Sequence, residues 1–170
     1  MKVKNKEMSE QLFKEVMGSY PSGVTVITTI DQKGNPIGLT ANSFVSVSIE
    51  PLLVLWCIDK RANSYSAFGP ADKFAVNILA ADQAEACWTF ASKTEADRFG
   101  KQDWSLSENG LPILTGSFAS LECKKVQEVD AGDHYILIGE VIDIEKSELD
   151  PMLYFKRKVG AVPLEFGSQS

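Results

Sequence analysis

The chain has 170 residues, 44% of them hydrophobic, with 17 basic and 23 acidic side chains and a formal net charge of -6. That length and apolar content suit a single domain with one sizeable core, and basic residues scattered everywhere except Lys156-Arg157-Lys158 exclude a stripe that tracks nucleic acid. The longest apolar run, Leu52 to Ile58, is far shorter than the roughly 20 residues of a membrane span, and MKVKNKEMSEQ holds no apolar signal stretch, so the expectation is a cytoplasmic protein with no membrane association.

Leu12, Phe13, Val16 and Met17 repeat at helical spacing behind Ser9 as a cap, and Gly18 and Pro21 end the pattern, which predicts a short amphipathic helix. Gly23 to Ile30 is almost wholly β-branched. Asp31 to Pro36 is a polar turn leading into Ile37 to Ile49, and together these segments predict a β-hairpin. Leu52 to Ile58 and Phe74 to Leu79 are compact apolar runs expected as central strands, with a short helical stretch, Ala62 to Phe68, between them. Asp82 to Lys93 places Ala86, Cys87 and Phe90 on one helical face with Asp82 as cap. After a stretch rich in Gly, Asp and Ser, Ser117 to Val129 and His134 to Glu145 alternate apolar and polar residues about the turn Asp130 to Asp133, predicting a long antiparallel hairpin. Met152 to Lys156 is the last expected strand, and Gly167 to Ser170 is a polar tail. About seven hairpin-connected strands with few helices predict a mainly β fold, a closed or nearly closed antiparallel barrel with short peripheral helices.

The chemistry is bounded by what is missing. His134 is the only histidine, which removes two-histidine zinc sites and acid/base pairs, and no metal site is expected. Cys57, Cys87 and Cys123 are odd in number and far apart, as buried free thiols are. Neither GxxxxGK[ST] nor GxGxxG occurs, so any nucleotide is bound outside a Rossmann or P-loop domain.

Four segments retain binding chemistry. Gly38 to Phe44 brings small and polar residues (Thr40, Ala41, Asn42, Ser43) into a strand, either to cradle a flat heterocycle or as a bulge facing solvent. Asp59-Lys60-Arg61 with Ser64 and Tyr65 opens a helix and is either an anion seat or an ordinary helix start with its cations in solvent. Phe90-Ala91-Ser92-Lys93, followed by Asp97-Arg98-Phe99, sets aromatics beside a hydroxyl and cations, although Phe90 and Phe99 are equally well core residues. Gly132-Asp133-His134 holds the imidazole at the mouth of a hairpin, where it either meets a planar ligand or serves as a polar surface group.

In order and spacing these segments, with Phe13 to Gly18, Pro21 to Thr29, Phe74 to Leu79 and Pro151 to Phe155, resemble the flavin reductase-like family, the small reductase components of two-component flavin-dependent monooxygenases. The resemblance implies an FMN-binding split barrel that dimerises with flavin near the subunit interface. It implies that Thr40, Ala41, Asn42, Ser43 and Phe44 contact the isoalloxazine and ribityl chain, and that Asp59, Lys60, Ser64 and Tyr65 lie towards the phosphate. Phe90, Ala91, Ser92 and Lys93 complete the pocket, while Gly132, Asp133, His134 and Tyr154 face the nicotinamide of NADH or NADPH. The implied activity is an NAD(P)H:flavin oxidoreductase in which stacked cofactor rings exchange a hydride without any catalytic side chain, supplying reduced FMN or FAD to a separate monooxygenase. The chain departs from the family pattern after Tyr154, where the family often continues with a short glycine-containing turn and an aromatic and this chain has Phe155-Lys156-Arg157-Lys158-Val159-Gly160. A tightly FMN-bound, flavoredoxin-like electron carrier and a non-catalytic ligand-binding barrel remain open beside this reading.

Overall fold

The computed structural model describes residues 9–167, so the expectations for the first eight residues and for the tail beyond Gly167 lie outside the described residues. Helix α1 (Glu10–Gly18) starts as the sequence predicts, with Ser9 Oγ accepting from the Leu12 N–H at 3.2 Å, and ends where the Ser19 N–H returns to Glu15. No α1 residue is buried, so Leu12, Phe13, Val16 and Met17 form an apolar face left uncovered among the described residues.

Strands β1 (Ser22–Gly23), β2 (Thr25–Ile30) and β3 (Pro36–Ala41) follow, and β2 and β3 form the expected hairpin. The strand expected over Ile37 to Ile49 is broken. The chain leaves the sheet at Asn42-Ser43-Phe44 and returns as β4 (Val45–Ile49), which pairs with β5 (Leu52–Asp59) instead of β2. Helix α2 (Tyr65–Phe68) is shorter than its apolar pattern, because Asp59 folds the preceding residues into a turn by accepting from the N–H groups of Arg61 and Ala62. After β6 (Lys73–Ile78), α3 (Ala84–Ala91) buries Ala86, Cys87 and Phe90 as expected. Asp82 does not cap it; Gln83 is the N-cap residue and its side chain accepts from the Ala80 N–H at 2.9 Å.

The loose stretch beyond α3 contains a hairpin that the sequence reading missed, β7 (Trp104–Leu106) with β8 (Pro112–Leu114). The long hairpin is present as β9 (Ala119–Ala131) and β10 (His134–Lys146), and a last pair, β11 (Met152–Phe155) and β12 (Lys158–Ala161), replaces the single expected strand.

The main sheet runs β3-β2-β6-β9-β10-β5-β4 and is antiparallel throughout. Its edge strands, β3 and β4, are joined by the short link Asn42 to Phe44, which keeps them within about 14 Å of chain reach. The sheet must therefore curl until its edges approach. No ladder joins β3 to β4 among the described residues, so the barrel is split along that seam and not closed.

Residue alternation sends the strands' side chains to two cores. Ile27, Val54, Trp56, Ile58, Phe74 and Leu137 fill the interior of the curl, while Val26, Leu79, Cys87, Phe90, Phe99 and Met152 pack outside it, beneath α3. Because β2 is covered on both faces, its threonines must satisfy their hydroxyls internally. Thr25 donates to Ala41 O, Thr28 to Pro112 O and Thr29 to Lys73 O, at 2.6, 2.5 and 2.8 Å. Asn77, fully buried, donates to Val26 O and accepts from Leu114 N–H, tying β6 to β2 and β8.

Candidate functional site

Three of the segments singled out in the sequence, Asn42 to Phe44, Asp59 to Tyr65 and Gly132 to His134, meet along one rim of the curled sheet, with α3 packed on β3 beside them. At one end, α3 lies across β3, and Gly38 is the point of closest approach: an added Cβ would stand 2.8 Å from Phe90 and 3.2 Å from Phe99. Phe90 and Phe99 are buried with their ring centroids 5.0 Å apart, edge to face, so both serve the core. The exposed residues at the end of α3 are Ala91 and Lys93, while Ser92 folds its hydroxyl back onto the N–H groups of Thr94 and Glu95.

The link between β3 and β4 presents less side-chain polarity than expected. Thr40 donates to Cys87 O at 2.6 Å and Ser43 Oγ accepts from the Cys57 N–H at 2.9 Å, so both hydroxyls are spent on main-chain partners. Ala41 is buried and accepts from Thr25, and Phe44 packs against the interior core. Asn42 is exposed, which leaves its amide and the open main chain of the link as the available polar groups.

Ser43 also carries the rim onwards, because Cys57 lies two positions before Asp59 on β5. In register, His134 stands directly opposite Asp59, so the segments expected to face the phosphate and the nicotinamide are neighbours. The Lys60 N–H donates to Asp133 O at 3.0 Å, closing the β5 end onto the β9–β10 turn, where Gly132 takes a φ of 68° that a side chain would resist.

Charge at this end is internally balanced. Arg61 reaches Asp59 through Nη2 at 2.9 Å and Nε at 3.2 Å, holding the Asp59 carboxyl well below the usual carboxylate range. Lys60 Nζ meets Asp130 at 2.7 Å and stands 4.9 Å above the Tyr135 ring. Tyr65 stacks on Tyr135 with centroids 4.7 Å apart and donates to Glu128 at 2.6 Å, which pushes its phenol up to about 12. Tyr65 is thus a strut beneath the rim. Ser64 makes no capping bond. His134 Nδ1 lies 2.7 Å from Asp133 Oδ1 with the ring partly exposed, and this bond first, then the imidazole's charge, lowers the Asp133 pKa.

Tyr154 lies on a different sheet, paired with Ser22 and half-buried against the outer core. Two clefts open away from the rim. One, of about 960 Å³, lies between α1 and the β11–β12 turn and is lined by Glu10, Lys14, Lys156 and Arg157; the other, of about 320 Å³, is lined by Thr115, Ser117 and Lys146 among others. Among the described residues no cluster of His, Cys, Asp and Glu is placed to hold a metal ion, and no helix is long and apolar enough to cross a membrane.

A model of the flavin reductase like domain matches residues 17–163, nearly the whole described chain. The chain belongs to this family. The stachydrine N-demethylase reductase subunit Stc3 of Rhizobium meliloti is 42% identical over 141 residues, which is 83% of this chain and 61% of that protein. The FMN reductase (NADH) SmoA of Agrobacterium fabrum is 39% identical over 84% of this chain and 80% of its own length. Among solved structures, the Streptomyces globisporus NADH:FAD oxidoreductase SgcE6, in complex with NAD and FAD fragments, superposes with a TM-score of 0.87 at 35% identity, covering 93% of this chain and 96% of that one. Some relatives are much longer: the chain spans only 45% of a second Rhizobium meliloti protein at 42% identity. The family match takes in β1 to β12, so the split sheet and its rim are the family's fold, and Arg98 and the Lys156-Arg157 turn, noted in the sequence without an assigned ligand contact, lie within it.

Proposed function

We propose that the chain is an NAD(P)H-dependent flavin reductase whose flavin lies along the rim from Lys93 through Asn42 to Ser64, with nicotinamide entering at His134. The observation that carries this reading is the convergence of those separate segments on one rim, in a chain that aligns over most of an FMN reductase (NADH). The donor set fits a flavin mononucleotide. Open main chain and the Asn42 amide suit the edge of a heterocycle, Lys93 supplies an exposed cation, and Ser64 leaves a hydroxyl for a phosphate. Lys60 and Arg61 turn to that phosphate from Asp130 and Asp59 at small cost, since exposed ion pairs are worth about 0–1 kcal/mol. When bound, the flavin accepts the hydride and the nicotinamide donates it. The chain's own task is to hold the two rings in contact and exclude water, with Gly132, Asp133, His134 and Tyr154 on the nicotinamide side.

The apolar faces of α1 and β4 left uncovered among the described residues support a homodimer, and a relative that is the reductase subunit of a flavin-dependent monooxygenase, 41% identical over 85% of this chain, supports the passing of reduced flavin to a separate oxygenase. The assay is the loss of reduced-nicotinamide absorbance with NADH or NADPH, with and without FMN or FAD. Turnover that requires added flavin is the expected result and reveals both cofactor preferences. A chain that stays yellow through dialysis yet oxidises neither nicotinamide is instead an electron carrier of the flavoredoxin type, and one that neither binds flavin nor turns over is a non-catalytic barrel.

A further inference from the structure

Arg98 follows the segment expected to complete the flavin pocket but is itself assigned no ligand contact, and its guanidinium spans the gap between α3 and β3. Nη1 donates to Gly38 O at 2.7 Å and Nη2 to Ser92 O at 2.5 Å, so one side chain bridges β3 and the last turn of α3. Its charge meets no carboxylate among the described residues: nearby Glu95 is taken by Lys101, and Asp97 Oδ1 accepts from the Gly100 N–H. Partial burial lowers its pKa, but a guanidinium stays charged at any working pH. A half-buried cation bonded only to main-chain carbonyls is a geometric device, and the planar fork holds both carbonyls at a fixed separation.

The body of α3 is already anchored to β3 by Thr40 on Cys87 O and by Phe90 against Gly38. What those contacts do not hold is the chain just beyond the helix, from the cap residue Ser92 onwards. Ser92 turns its hydroxyl to its own loop, and Ala91 and Lys93 are exposed, so the reach from Ser92 back to β3 is made by Arg98. We infer that Arg98 is a positioning residue that holds one wall of the flavin site, residues 91–93, at a fixed distance from β3 at Gly38. This rests on the flavin reading above.

The test compares the unsubstituted chain with Arg98→Lys and Arg98→Met, measuring flavin dissociation constants by fluorescence titration, the KM for nicotinamide at saturating flavin, and thermal melting. Arg98→Met is expected to weaken flavin binding by about tenfold or more at a temperature where the variant is folded, with the nicotinamide KM changed by less than about threefold. Arg98→Lys, which keeps the charge and can hold one carbonyl, should fall between; it also carries the comparison if Arg98→Met does not fold. Flavin binding within about twofold of the unsubstituted chain in Arg98→Lys and in any folded Arg98→Met, with only the melting temperature lowered, would overturn the inference and leave the flavin reading intact. Failure of the unsubstituted chain to bind FMN or FAD would overturn both.

Discussion

His134 is the one side chain whose chemistry the whole sequence offers only once, and its surroundings decide how it is presented. Asp133 engages Nδ1 at 2.7 Å, which leaves Nε2 without a hydrogen-bond partner among the described residues and the ring partly exposed. The same bond keeps the Asp133 carboxyl ionised below the usual carboxylate range, so loss of this anchor belongs to acidic conditions and not to the neutral range in which a reductase is assayed. The expected consequence of His134→Ala is a rise of about five- to tenfold in the nicotinamide KM, equivalent to about 1–1.4 kcal/mol, with flavin affinity unchanged. Steady-state kinetics at saturating flavin checks this. Unchanged KM and turnover would remove His134 from the nicotinamide side and leave it a polar cap on the β9–β10 turn.

At the scale of elements, the β11–β12 hairpin is built against its own residues. Phe155 pairs with Lys158, so Lys156 and Arg157 form a two-residue loop with φ values of 49° and 63°. Both are left-handed, the geometry that favours Asn-Gly, and a side chain there costs about 1–2 kcal/mol per residue. Arg157→Gly should therefore raise stability by about 1 kcal/mol, after the entropy of glycine in the unfolded chain is set against the relieved strain. A melting temperature higher by about 2–4 °C is the expected reading, and a lower one would mean that Arg157 makes contacts outweighing its strain. The same misfit explains why β12 was illegible: Lys-Arg gives no turn signal, whereas Gly34 and Gly132 announced their turns and the hairpins around them were read correctly. The small and polar residues of Gly38 to Phe44 mark an interruption of Ile37 to Ile49 but not its outcome, because only the choice of partner, β2 for one half and β5 for the other, divides the stretch into two strands. Partner choice also hid part of the site. Thr40 and Ser43 are spent on Cys87 and Cys57, and Arg98 acts through carbonyls 60 and 6 positions away, none of which a local pattern encodes.

For the whole molecule, the surface left over by folding is the strongest remaining constraint. Leu12, Phe13, Val16 and Met17 are 43–66% exposed on α1, and Val45, Val47, Ile49 and Leu52 are 46–87% exposed on the β4 edge and its partner. A monomer rarely leaves so many large apolar side chains in water. If two copies meet by two-fold symmetry, each face is counted twice. At about half of the 1.5–3 kcal/mol gained by full burial, the four α1 residues of both copies contribute roughly 6–12 kcal/mol. That matches the 4–15 kcal/mol or more lost when two molecules become one, so α1 alone gives a marginal dimer and the β4 row is needed for a firm one. The chain should sediment as two copies at micromolar concentration. Phe13→Glu, which puts a charge on the most exposed of the four α1 side chains, should shift it towards monomer by at least about tenfold in dissociation constant without lowering the helix content seen by circular dichroism. A rim open along the split seam gains its second wall from the partner if the flavin lies at the interface, so Phe13→Glu should then lose flavin affinity in parallel with dimerisation. Full flavin affinity in a monomeric Phe13→Glu chain would place the cofactor wholly within one copy, and a monomeric unsubstituted chain would leave the apolar face of α1 to a different partner.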